Sequence, residues 1–311
     1  MSTPRPPASR ALALVGLGAA SISFAPILVK AAVGQGVGPT AIAMWRVLIA
    51  ASVLLLFAAL RWGRRTILPR RALVMALIAG VTFAADLWVW HRAIVRIGAG
   101  MATILGNTQV FWTAIFGRVL FREPLTWRFA GAAAMAFAGV ALLAGVGSSV
   151  EMSSDYLVGV GLGLATGVAY GAYIISLRHS NSVFTEEVGQ DSGLGPLARA
   201  ALILAWVMVV AGGLLAAIAA LEGHAAAPST NAAWLEIVAL ALGVQIAGWV
   251  LISSALPRLP AARGALMLLL QPTLAAVWGA LIFAEDLAPL QLCGAALTLA
   301  GVYVGSTPSR R

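Results

Sequence analysis

Apolar residues run along this chain in blocks separated by brief clusters of glycine, proline and charge. Ten blocks approach the ~20 residues that cross a hydrocarbon core of about 30 Å. They fall near Ala11–Val33, Thr40–Leu60, Ala72–Val95, Ala99–Phe121, Leu125–Gly145, Leu157–Leu177, Leu197–Leu221, Trp234–Leu256, Ala261–Ala284 and Leu287–Val304. Most turns are short, as at Gly34-Gln35-Gly36, at Pro257 to Pro260 and at Glu285-Asp286. Two are longer and polar, Ser148–Asp155 and His179–Pro196. The pattern predicts an all-α integral membrane protein of ten transmembrane helices.

A larger period underlies the blocks. Ile94–Val140 aligns without a gap to Leu256–Val302 at a constant offset of 162. Arg96 then superposes on Arg258, Gln109 on Gln271, Gly117 on Gly279, Phe121 on Phe283, Glu123 on Glu285 and Gly139 on Gly301. In the same frame Arg118, Arg122 and Arg128 become Ala280, Ala284 and Leu290. Five predicted helices separate the copies, so the second is expected upside down, with no reason to keep positive charge in that loop. The expected organisation is two inverted-topology five-helix repeats, residues 1–147 and 157–311, joined by a linker at 148–156.

Composition agrees with a lipid environment: 61% of residues are hydrophobic and 10% charged, against roughly 25% charged in soluble chains, and mean hydropathy is +0.94. The net charge of +9 comes from arginines in short loops, without the aromatic-basic stripe on which nucleic acid bases stack. It is topological charge. With Arg5 and Arg10 before a first block long enough to span, that block reads as a retained helix and not a cleaved signal. If the N-terminus is cytoplasmic, sixteen arginines fall inside, while Lys30, Arg92 and Arg96 fall outside and Arg46 lies within a helix. This asymmetry puts both termini in the cytoplasm, with Arg61–Arg71 inside and Glu151–Asp155 outside. A single cysteine, Cys293, excludes an intramolecular disulfide and a cysteine metal site, and no Asn-x-Ser/Thr sequon occurs. There is no phosphate-binding glycine loop, no metal-ligand cluster and no catalytic set among three scattered histidines, so neither an enzyme, a nucleotide-driven pump nor a bound cofactor is expected. The only lysine, Lys30, lies near a helix end and argues against a retinal-type sensor.

Depth locates a candidate site. Gln109 lies ten residues past Ala99 and Gln271 ten past Ala261, which puts both about 15 Å deep, near the bilayer midplane. Ser21, Asn107, Thr166 and Gln245 fall within about a turn of that level. Inverted-repeat transporters bind solute at this level. The competing reading makes such amides and hydroxyls interhelical glue. Asp86 is the one plainly intramembrane acid, and Arg46 sits at similar depth on the adjacent helix, so a structural ion pair competes with a solute or proton role. His91 lies nearer the surface, about 140° around the helix from Asp86. Trp90, Trp112, Tyr170, Tyr173, Trp249 and Trp278 lie deep enough to favour large apolar side chains if they face a cavity. Glycines 159, 163, 167 and 171 form one flat stripe, a packing face first and a hinge second. Pro272 is expected to leave the Leu268 carbonyl without its helical partner.

Trp45-Arg46 early in the second helix and the Pro272-to-Glu285 block closing the ninth resemble the EamA branch of the drug/metabolite transporter superfamily over nearly the whole chain. Trp88, Trp90 and His91, with the Asn107 to Trp112 stretch, look most like the aromatic amino acid exporters of the YddG type. The chain departs from that pattern at Val110, where the second copy has Pro272, so one half lacks a proline kink. The resemblance implies an exporter or facilitator of the bacterial inner membrane with a central cavity. The implied partners are a small-molecule substrate and the lipid bilayer, with no nucleic acid, and the expected state is a monomer. The substrate-binding candidates are Ser21, Asp86, Trp90, His91, Asn107, Gln109, Trp112, Thr166, Tyr170, Gln245, Trp249 and Gln271. The expected function is alternating-access export of aromatic or hydrophobic amino acids. Alternatives are export of a drug, nucleoside or sugar-type metabolite, a channel-like passive pore, or a noncatalytic receptor or assembly factor.

The arginine asymmetry generates a topological prediction. A cysteine replacing Ser153 should react with an impermeant maleimide in intact cells, and one replacing Ile67 only after permeabilisation. The reverse pattern would overturn the orientation.

Overall fold

The computed structural model describes residues 8–63, 67–143, 153–188, 193–223, 227–283 and 289–306. Arg5, Arg64, Arg65, Glu151, Glu285, Asp286, Arg310 and Arg311 lie outside these segments. All regular structure among the described residues is helical. In order the helices are α1 Ala8–Ile22, α2 Ala25–Gly34, α3 Pro39–Trp62, α4 Arg70–Gly106, α5 Gln109–Phe121, α6 Trp127–Leu143 and α7 Ser154–Val188. They continue as α8 Pro196–Leu221, α9 Asn231–Ala239, a π-helical stretch Leu240–Gly248, α10 Trp249–Ala255, α11 Ala261–Met267, α12 Leu270–Phe283 and α13 Pro289–Ser306.

Six helical runs are long and apolar enough to cross a bilayer: Ser9–Gly34, Pro39–Trp62, Arg70–Ile97, Ser154–Val188, Pro196–Leu221 and Asn231–Arg258. Two are shorter, Trp127–Leu142 and Leu292–Gly305. The two remaining predicted blocks, around residues 99–121 and 261–284, are each interrupted midway. Although α4 is helical throughout, it doubles back. Sixteen residues of straight helix would hold Trp90 and Gly106 about 24 Å apart. A β-carbon on Gly106 would instead lie 3.9 Å from Trp90 Cδ1.

The predicted loop at His179–Pro196 is largely helix, because α7 continues to Val188. Its polar residues turn inward and find partners: Ser180 Oγ donates to the Ala72 carbonyl at 3.0 Å, and Asn181 Nδ2 donates to Ser253 Oγ at 2.9 Å.

Glycines set the closest packing. On α7, a β-carbon at Gly163 would lie 2.7 Å from Leu105 Cδ1, one at Gly167 3.0 Å from the Leu105 carbonyl oxygen, and one at Gly171 2.9 Å from Trp112 Cβ. The stripe is thus the seat on which the last turns of α4 and the start of α5 rest. A second seat joins α6 to α13. A β-carbon on Gly139 would meet Thr298 N at 2.5 Å, and one on Gly301 would meet Ala136 Cβ at 2.7 Å. Thr298 is the repeat mate of Ala136 and Gly301 that of Gly139, so the contacts are reciprocal. Because the lower number on one helix meets the higher on the other, α6 and α13 run antiparallel. One buried apolar cluster ties α1 and α3 to α4, α7, α8 and the π-helical stretch, and a smaller one joins α5, α6, α11 and α13. Leucines such as Leu17, Leu56 and Leu281 stay exposed, as befits helices whose solvent is lipid.

The seat can be tested by melting detergent-solubilised protein. Gly167→Ala should destabilise by about 1–3 kcal/mol through overpacking, while Gly161→Ala, which meets nothing within 4 Å, should melt like the parent. Equal melting of the two variants would show that the stripe is not a close seat.

Candidate functional site

Four interrupted helices converge on one cavity of about 110 Å³. The first interruption is Ser23-Phe24, where Pro26 in the first turn of α2 withholds the donor that the Ile22 carbonyl would use. The second is Asn107-Thr108, which has no proline. There Asn107 Nδ2 donates to the Thr103 carbonyl at 2.8 Å and Thr108 Oγ1 to the Leu105 carbonyl at 2.6 Å, competing with the helical ladder. The half expected to lack a kink is therefore broken by side chains instead. The third is the π-helical stretch, whose Gly243 carbonyl accepts from Ser21 Oγ at 2.8 Å. The fourth is Leu268-Leu269, ahead of Pro272. The Leu268 carbonyl is not left free as expected, because the Gln271 N–H reaches it at 3.0 Å in a tighter turn.

Ser23, Asn107, Gln245, Trp249 and Gln271 line the cavity from these segments, Thr166 and Tyr170 from α7, Arg46 from α3, and Phe83, Asp86, Leu87 and Trp90 from α4. Tyr170, Phe83 and Tyr173 pack against Trp249 with ring centroids 4.7–6.1 Å away. Gln271 Nε2 donates to the Tyr170 hydroxyl at 3.2 Å. The wall is chiefly aromatic and aliphatic with a few polar groups, the usual make-up of a small-molecule site.

One end of the cavity is closed. There α5 packs on α7 and α11, and α11 on α1. Arg122 takes a left-handed conformation (φ 55°) that ends α5 and turns Glu123 back over it. The Glu123 carboxylate accepts from the Ala261 backbone N–H at 2.7 Å and from Arg178, whose guanidinium lies 4.7 Å above the Phe121 ring. Arg10, Arg199 and Arg258 lie close enough at this end to interact electrostatically. At the other end α2 packs on α12 and α4 on α7, while among the described residues the contacts of α4 and α7 with α2 and α12 are sparse, the Gln271–Tyr170 hydrogen bond among them. The mouth lies between these pairs. Away from the cavity lining, Glu222 accepts from Thr40 Oγ1 at 2.9 Å, from Trp88 Nε1 at 3.0 Å and from Arg92, tying α3, α4 and the end of α8.

Arg46 and Asp86 both face the cavity and are 4% and 7% exposed. No ion-pair contact joins them among the described residues, although they are near enough to interact through space. The expected direct pair is therefore absent. Arg46 Nε and Nη1 are buried without a hydrogen-bond partner.

Of the candidates named from the sequence, Asp86, Trp90, Asn107, Thr166, Tyr170, Gln245, Trp249 and Gln271 come together around the cavity. Four do not line it. Ser21 is engaged by the Gly243 carbonyl. His91 is turned into the helix packing, its Nδ1 2.6 Å from the Leu87 carbonyl oxygen. Gln109 is fully buried as glue, donating to the Ala265 carbonyl at 3.2 Å and accepting from Thr113 at 3.1 Å. Trp112 lies on the outside of α5 beside Phe116. Ser23 and Phe83 were missed. Pro26 was the available signal for Ser23, since a proline three residues on marks an interruption.

The chain matches the model of the EamA-like transporter family over residues 9–145 and 197–307. A solved crystal structure shares its fold with a TM-score of 0.77 over 96% of both chains, at 18% sequence identity. No curated protein matches. The family match covers most of both halves, its members are membrane transporters of small solutes, and this chain belongs to the EamA-like transporter family.

Proposed function

We propose that this protein is a secondary transporter that exports aromatic or hydrophobic amino acids by alternating access, built as two inverted five-helix repeats (residues 1–147 and 157–311, linker 148–156) with both termini in the cytoplasm of a bacterial inner membrane. The antiparallel, reciprocal contact of Gly139 and Gly301 supports the inversion, because a two-fold axis in the membrane plane produces such a contact.

One observation carries the mechanism. Gln109 and Thr103 are the repeat mates of Gln271 and Ala265 at the offset of 162. At the closed end Gln109 bonds the Ala265 carbonyl. The mirrored bond, Gln271 to the Thr103 carbonyl, is not made: both residues line the cavity, Thr103 accepts from Asn107, and Gln271 turns to Tyr170. Symmetry is broken where a one-sided cavity requires it. Opening the arginine-rich end releases Gln109 and Glu123, and closing the mouth lets Gln271 take the Thr103 carbonyl. The two amides thus serve as solute contact and gate in alternate states.

The aromatic wall suits an apolar side chain. The volume of about 110 Å³ is of the order of the ~150 Å³ apolar cavity that admits benzene, so the ring of a larger solute extends toward the mouth.

Reconstituted protein should carry phenylalanine or methionine with saturation and counterflow, and Gln271→Ala should stay folded while its half-saturation shifts severalfold. A nonsaturable leak, or carriage of phosphorylated metabolites with amino acids ignored, would reject the reading. Glu123→Gln, which weakens the tie to Arg178, should make a cysteine replacing the cavity residue Ala275 react severalfold faster from the arginine-rich side. An unchanged rate would remove Glu123 from the gate.

A further inference from the structure

Elsewhere the chain brings charges of opposite sign into contact: Arg178 meets Glu123, Arg92 meets Glu222 and Arg96 meets Asp155. Arg46 and Asp86 are the exception in the cavity wall. They are nearly buried, stand on different helices, α3 and α4, and face one space without touching. Two guanidinium nitrogens of Arg46 have no partner, and no hydrogen bond to Asp86 occurs among the described residues. A buried charge held apart from its counter-charge is unfavourable unless something between them completes both. The group that completes both must be anionic at one end and cationic at the other.

We propose that Arg46 and Asp86 form a headgroup subsite for a zwitterion, with the guanidinium binding the carboxylate of an α-amino acid and the Asp86 carboxylate binding its ammonium; this rests on the reading of the cavity as the solute site. The planar guanidinium fork suits a carboxylate. Phe83, Leu87 and Trp90 are α4 wall residues that flank Asp86 in sequence, so they offer the apolar side chain a surface next to the headgroup. The two charges then decide which solutes enter, and the aromatics decide which side chains are held. A neutral solute, a simple amine or a simple acid leaves at least one buried charge unmatched.

Competition against labelled phenylalanine, measured both by binding to the detergent-solubilised full chain and by counterflow in proteoliposomes, tests this with two probes: phenethylamine, which lacks the carboxylate, and 3-phenylpropionate, which lacks the ammonium. Each should compete about tenfold more weakly than phenylalanine or worse, because each strands one charge. Arg46→Gln should bring phenethylamine close to phenylalanine while 3-phenylpropionate stays excluded. Asp86→Asn should do the reverse. If a single variant fails to fold because the remaining charge is stranded, the double variant Arg46→Gln/Asp86→Asn restores neutrality and should no longer rank the three compounds by headgroup. Equal competition by all three in the parent protein, or an unchanged ranking in folded variants, would overturn the subsite while leaving amino acid transport standing. Headgroup-selective binding without counterflow would retain the subsite and sink the transport reading instead.

Discussion

Within a bilayer a carbonyl or amide that leaves the helical ladder finds no water to replace its partner. This chain interrupts four helices around one cavity, and much of its buried polar chemistry answers that constraint. Ser21 supplies the Gly243 carbonyl, Asn107 and Thr108 supply their own preceding turn, and Gln109 supplies the Ala265 carbonyl beside the break before Pro272. The cavity exists because the breaks open space, and the breaks persist because these side chains complete the backbone around them.

The same constraint explains what could be read in the sequence. The lengths of the apolar runs follow from bilayer thickness, and helices form along them, two of the blocks being interrupted midway. The direction in which a polar side chain points is decided by its partner, which lies far along the chain. Gln109 and Gln271 are equivalent in sequence and depth, yet one is buried glue and the other cavity wall, because a one-sided opening makes equivalent residues different. Asn181 and Ser180 read as loop residues until their partners on neighbouring elements are known. Val110, where the second copy has Pro272, leaves its helix without a proline kink. The adjacent asparagine and threonine break it by local hydrogen bonding, which composition alone does not distinguish from solvation.

Charge is divided by the same geometry. Outside the cavity wall, acids and arginines meet directly and tie helices together. In the cavity wall they stand apart. The same residue types thus form direct ion pairs in one place and line a cavity without touching in another.

The glycine seat on α7 bears on how such a protein changes over time. The glycines carry the broken helix through contacts with Leu105, Thr108 and Trp112, whereas Phe83 and Leu87 on the cavity wall take no part in that seat. Substitutions at those wall positions are therefore free to drift in size and shape without unseating the scaffold. A lineage carrying this seat can reshape the cavity wall one side chain at a time, whereas a single methyl group added to the seat would disturb the scaffold itself.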